Sequence, residues 1–171
     1  MPRPTTQDYP VFYTPYINKV KEDDLLTAFD NQQKELESIL SSISEENANH
    51  AYESEKWTIK EVFQHIIDAE RIFSYRALCI SRGDKFSFPS FDQNSYATNS
   101  FANRRTWKSI ASEFLHVRLS TRDLFQSLRP EDHLIVGSAN GNPVNVLSIG
   151  YIIIGHVTHH VEVVKEKYLK N

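Results

Sequence analysis

Apolar residues recur at helical spacing in four stretches of this chain, and polar, Gly- or Pro-containing segments separate them. The first stretch predicts a helix from about Asp23 to Ser44. In it Leu25, Leu26, Phe29, Leu36, Ile39, Leu40 and Ile43 keep to one face between charged residues. The second has a written start: Thr58 and Glu61 stand at the N-cap and N3 spacing of a capping box, with Trp57 in the staple position before them. It runs on through Ile66, Ala69, Ile72 and Phe73 and stops near Gly83. The third covers roughly Arg104 to Leu128 and is stopped by Pro130, and the fourth runs from near Asn145 to about Leu169.

The connecting segments are as informative. Residues through about Tyr16 predict an extended arm whose Tyr9, Phe12, Tyr13 and Tyr16 pack on the domain. The stretch from Asp84 to about Ser100 predicts a long aromatic loop, with Phe86, Phe88, Phe91 and Tyr96 among polar residues. A loop of this kind suits a lid or wall. Between the third and fourth helices, Asn140-Gly141 inside an apolar run signals a short β-hairpin. The sum is one all-α domain over residues 1–171, an antiparallel four-helix bundle with residues 1–16 as its N-terminal arm.

Composition narrows the function classes. A net charge of -3 supplies no basic face for phosphate, which argues against a nucleic-acid partner; the only cluster to test is Arg104, Arg105 and Lys108. Cys79 is the single cysteine, so no intrachain disulfide forms, and it reads as a small buried apolar residue. The N-terminus has no apolar signal-peptide core, and the run around Ile149–Ile154 falls short of the roughly 20 residues a membrane span needs. A soluble cytoplasmic protein is expected. A homodimer is compatible with the sequence, which singles out no stripe for it.

The chemistry sits in the histidines. His156 and His160 are four apart on the fourth helix and so share one face, and apolar neighbours (Ile152, Ile153, Ile154, Val157, Val161) keep that face out of water. Gly155 beside them allows a backbone or ligand to come close. His65, bracketed by Phe63, Ile66 and Ile67, supplies a third imidazole from a facing helix. Two imidazoles from one helix and one from another form a three-coordinate site with open positions, the arrangement a catalytic metal requires. Asp68 shares the face of His65 and is either an acceptor orienting its ring or a surface carboxylate paired with Arg71 or Arg76. His159 points to the flank and reads as a neighbour supporting the ligands or an interhelix hydrogen-bond partner rather than a ligand, while His50, His116 and His133 lie in polar or boundary settings. Arg76 lies eleven residues beyond His65, about three turns on, and either takes an anionic group or bridges to a neighbouring helix. Asp92, Asn94 and Tyr96 in the aromatic loop are weaker candidates of the same kind. No phosphate loop, H-E-x-x-H, G-x-S-x-G or inward Glu-x-x-His set is present.

Taken together, Trp57-Thr58-Ile59-Lys60-Glu61-Val62, His65-Ile66-Ile67-Asp68-Ala69-Glu70-Arg71, Tyr75-Arg76-Ala77-Leu78, Phe91-Asp92-Gln93-Asn94-Ser95-Tyr96 and Gly155-His156 with His159-His160 resemble the DinB/YfiT-like family of metal-dependent enzymes. The resemblance covers essentially the whole chain. It implies a four-helix bundle, a metal triad at His65, His156 and His160, and a divalent ion (zinc, nickel or iron). Characterised members transfer or isomerise with low-molecular-weight thiols such as bacillithiol, mycothiol or glutathione. A thiol S-transferase acting on a small molecule is therefore implied. Two alternatives stay open: a hydrolase using metal-activated water, and a metal-binding or sensor protein without turnover.

Overall fold

The computed structural model describes residues 3–169. The four predicted helices form: α1 (Leu25–Ser42), α2 (Ile59–Ser81), α3 (Trp107–Ser127) and α4 (Val146–Val163). Each begins on a side-chain cap. Asp24 accepts from the Thr27 N–H, Thr58 closes the capping box with Glu61, Thr106 accepts from Ser109, and Asn145 from Ser148. These caps satisfy backbone donors that a helix start otherwise leaves unpaired. After Val163 the last helix loosens into a π turn, Val164–Tyr168, and Tyr168 Oη donates to the Trp57 carbonyl at 2.7 Å.

Cross-contacts fix the direction of each helix. Trp107 Nε1 donates to the Leu40 carbonyl while Arg122 reaches Asp30, so α1 and α3 run antiparallel. Tyr168 meets Trp57 and Phe73 meets His156, so α2 and α4 are antiparallel as well. The other neighbouring pairs are parallel: Arg105 with Gln64 and Arg118 with Glu70 for α3 and α2, Tyr151 with Asp23 and Thr158 with Gln32 for α4 and α1. Each helix thus has one antiparallel and one parallel neighbour. Parallel neighbours need long connections, and the chain supplies them.

Those connections carry more structure than the sequence suggests. The arm is not extended throughout: Val11–Tyr13 forms a 3₁₀ turn and Thr14–Ile17 one helical turn, with a proline in its first turn, where the missing N–H costs nothing. The aromatic stretch after α2 contains strand β1 (Ser87–Phe88) and a short helix, Gln93–Ser100, capped by Asp92. The hairpin is β2 (Val136–Ala139) and β3 (Asn142–Asn145), joined through Asn140 and Gly141 at φ of +52° and +70°, values that suit this Asn-Gly pair. β1 pairs parallel to β2, which ties the aromatic segment to the hairpin in a three-stranded sheet.

Inside the bundle two apolar clusters are stacked end to end. One holds Phe29, Phe73, Phe125 and Ile152–Ile154, the other Leu36, Phe63, Phe114 and Val157. Between them the four helices contribute Gln32, Glu70, Arg118 and His156, all buried. A polar layer therefore cuts across the core. The span Val146–Tyr168 is long and apolar enough to cross a bilayer by composition, but 72% of that window is buried as the central bundle helix. Of the expected domain, residues 1–2 and 170–171 lie outside the described residues.

Candidate metal centre

The three imidazoles singled out in the sequence meet at one edge of the polar layer. His156 Nε2 lies 3.1 Å from His65 Nε2 and 3.1 Å from His160 Nε2. Among the described residues these three form the only group of His, Cys or carboxylate ligand atoms gathered within 4.8 Å of one another. Two nitrogens bound at about 2.0–2.1 Å and roughly 100° apart would stand about 3.1 Å from each other, so the donor set fits one divalent ion.

Electrostatics favour the uncharged rings that metal ligands must be. Burial pushes His65 down to about 4 and His160 down to about 3. His156 is driven well below its ordinary value, first by burial and then by the neighbouring His160 and His65. Burial disfavours the charged form, and a second imidazolium beside the first would add repulsion.

Packing holds the rings. The Trp57 ring lies 5.1 Å from His65, and Tyr16 of the arm lies 5.6 Å from His156 and 5.4 Å from His159. Gly155 explains how the arm gets there. A Cβ at residue 155 would stand 2.0 Å from the Tyr16 carbonyl oxygen, so only glycine admits that backbone. Gly155→Ala should lift the arm, costing about 1–3 kcal/mol. A lower thermal midpoint together with new proteolytic cuts before Ile17 would check this; unchanged arm protection would refute it.

The remaining candidates fall into different places. Asp68 is half-buried and accepts from Gln64 Nε2 at 3.0 Å; it neither reaches the His65 group nor pairs with Arg71 or Arg76. Burial raises its carboxyl. His159 lies outside the triad, against Tyr16 and His160, on the wall of a cavity of about 330 Å³ that also exposes His160, Trp57, Lys56 and Asn94. Asp92 caps the short helix through the Asn94 and Ser95 N–H groups. Tyr96 packs on Phe91 and is 46% exposed. Arg76 is buried and donates to the Pro89 carbonyl. Arg105 of the basic cluster is committed to Gln64 and Glu113, and Arg104 lies over Phe101. His133 corrects its boundary assignment: it is buried beside Phe125. Cys79 is only half-buried. Neither the place of Tyr16 over His156 and His159 nor the Glu70–Arg118 pair is readable from spacing, because both depend on which segments meet.

A helical bundle with a converging three-histidine centre defines the class. The sequence profile of the DinB superfamily matches residues 28–164, and the chain belongs to that superfamily. No curated protein matches it in sequence. Among solved structures it is similar to YfiT from Bacillus subtilis, with a TM-score of 0.67 at 11% identity, over 86% of this chain and 88% of that one. YfiT is described as a probable metal-dependent hydrolase with an unusual four-helix bundle topology.

Proposed function

We propose that His65, His156 and His160 hold one divalent ion, and that the protein uses it to transfer a low-molecular-weight thiol onto an electrophilic small molecule. The observation that carries this reading is the convergence of three uncharged imidazole Nε2 atoms, those of His65 and His156 buried and that of His160 half-buried, beside a cavity of about 330 Å³. When bound, the ion supplies Lewis acidity that lowers the pKa of a thiol or water. Three neutral ligands do nothing to offset its charge. Trp57 and Tyr16 fix the His65 and His156 rings and keep water from their backs.

His159 on the cavity wall is the available proton acceptor. Burial holds its pKa below the ordinary value, so it is uncharged at neutral pH. In the transfer, the thiol S–H proton passes to this imidazole. A sulfur–carbon bond then forms as the bond to the leaving group breaks, and the leaving group departs with the electron pair. Neither Asp68 nor His159 joins the triad, which favours an open site over the closed four-ligand sites of structural metals. A hydrolase is the second reading, favoured by the similarity to YfiT; the same base would then act on water.

The test is turnover by protein loaded with one equivalent of zinc or nickel, supplied with bacillithiol, mycothiol or glutathione and 1-chloro-2,4-dinitrobenzene. We expect chloride release matched one-to-one by thiol consumption and abolished by chelation. Thiol-independent cleavage of 4-nitrophenyl acetate would shift the assignment to hydrolysis. No metal-dependent turnover of either would end the enzyme reading.

A further inference from the structure

Arg76 stands apart from every other cation buried in this protein. Its residue is 5% exposed, yet among the described residues it has no carboxylate partner. Arg118 has Glu70, Lys60 has Glu45, and Arg71 at the neighbouring turn has Glu113. Among the described residues the only side-chain hydrogen bond of Arg76 is from Nη2 to the Pro89 carbonyl, and its guanidinium carbon lies 5.6 Å from the centre of the Phe73 ring. Burial accordingly pushes the guanidinium below its ordinary value. A guanidinium largely withdrawn from water, with no carboxylate beside it and one side facing a cavity, suits an anionic ligand.

The surroundings define that ligand. Arg76 lines a cavity of about 320 Å³ whose other walls include Ile72, Tyr75, Phe88, Phe91 and Tyr96. This cavity shares Arg71, Ile72 and Tyr96 with a second groove that reaches Asp68, so the two are continuous along α2. Residues 65, 68, 72 and 76 follow one stripe of that helix, with roughly 16 Å of rise from first to last. Long side chains on a helix lean toward its N-terminus, so the guanidinium lies nearer His65 than its Cα does.

We propose that Arg76 anchors a carboxylate at one end of an elongated small molecule whose apolar body lies under the aromatic segment and whose other end runs toward Asp68. A single guanidinium matches a monoanion in charge and geometry; the other cation on this cavity's wall, Arg71, is already held by Glu113, so a phosphate dianion would be left half-neutralised. This placement rests on Arg76 and its cavity alone and stands independently of the metal reading above.

The experiment therefore uses binding, with and without one equivalent of zinc. 4-Phenylbutyrate, 4-phenylbutan-1-ol and phenyl phosphate are titrated into ¹⁵N-labelled protein while the Arg76 Nε–Hε resonance, assigned with Arg76→Lys, is followed. We expect a saturable shift with phenylbutyrate, at least about tenfold tighter than the alcohol, and the same in both metal states. Arg76→Gln should abolish that preference while leaving alcohol binding in place. A phenyl phosphate that binds more tightly than phenylbutyrate would overturn the carboxylate assignment. If no anion shifts the Arg76 resonance, or the alcohol shifts it equally, Arg76 only pins the loop at Pro89 and the proposal falls. Loss of zinc binding with the anion preference intact would instead defeat the metal reading alone.

Discussion

We expect His160→Ala to take the protein from about one tightly held divalent ion per chain to none that survives gel filtration, with the helical circular dichroism unchanged. His160 lies at the half-buried edge of the cluster, 3.1 Å from His156, and so can be truncated without opening the core. Removing a group that merely orients a ligand already costs metal affinity about 10–100-fold, and removing one of three ligands costs more. His65→Ala should lose the ion too, with some loss of stability because that residue is packed against Trp57. His159→Ala is the informative control, since its ring adjoins His160 but lies outside the converging group. It should keep the ion and lose turnover. Metal content by mass spectrometry on tag-free protein decides the matter: retention by His160→Ala would mean that the triad is not the site.

The parts of this centre that were legible in the sequence are those set by local spacing. His156 and His160 share a helical face because four residues make little more than one turn, and Thr58 with Glu61 fixes where the helix carrying His65 begins. With that start fixed, the positions of Asp68 and Arg76 relative to His65 follow. Asn140-Gly141 marked the hairpin for an equally local reason, the cost of positive φ for other residues. Local spacing could not reveal which elements meet. Asp68 carried a reading as an orienting acceptor, but it is taken by Gln64 one turn away on its own helix. Asp92 looked like a binding residue, yet it caps a helix too short and polar for periodicity to show. Gly155 announced a close approach without naming the visitor, which is the backbone of Tyr16 from a segment far away in sequence.

The largest expected effect on stability lies deeper in the same polar layer. Arg118 and Glu70 are each about 1% exposed, with Nη2 and Oε2 2.8 Å apart, and the guanidinium is flanked by Phe29 at 5.2 Å and Phe114 at 5.7 Å. None of the Arg118 guanidinium nitrogens and neither Glu70 carboxylate oxygen has a partner in hydrogen-bond geometry, so charge and ring contacts alone offset their desolvation. Burial pushes the Glu70 carboxyl up even with Arg118 beside it. Arg118→Met should therefore cost about 3–5 kcal/mol in urea unfolding, because it leaves a buried carboxylate unpaired. Glu70→Leu should cost a comparable amount by stranding the guanidinium. The double variant should recover most of the loss, since a buried pair replaced by apolar groups of similar size is often neutral or stabilising. If each single change costs less than about 1 kcal/mol, the layer is wetter than its burial indicates. The double variant also separates two roles for the layer. Arg118 adds to the forces that keep the His156 ring uncharged, whereas burial and the other histidines act without it. A stable double variant that still binds one ion would show that the pair serves the packing of α2 on α3. One that folds but binds weakly would show that the charge beneath His156 is part of the metal centre.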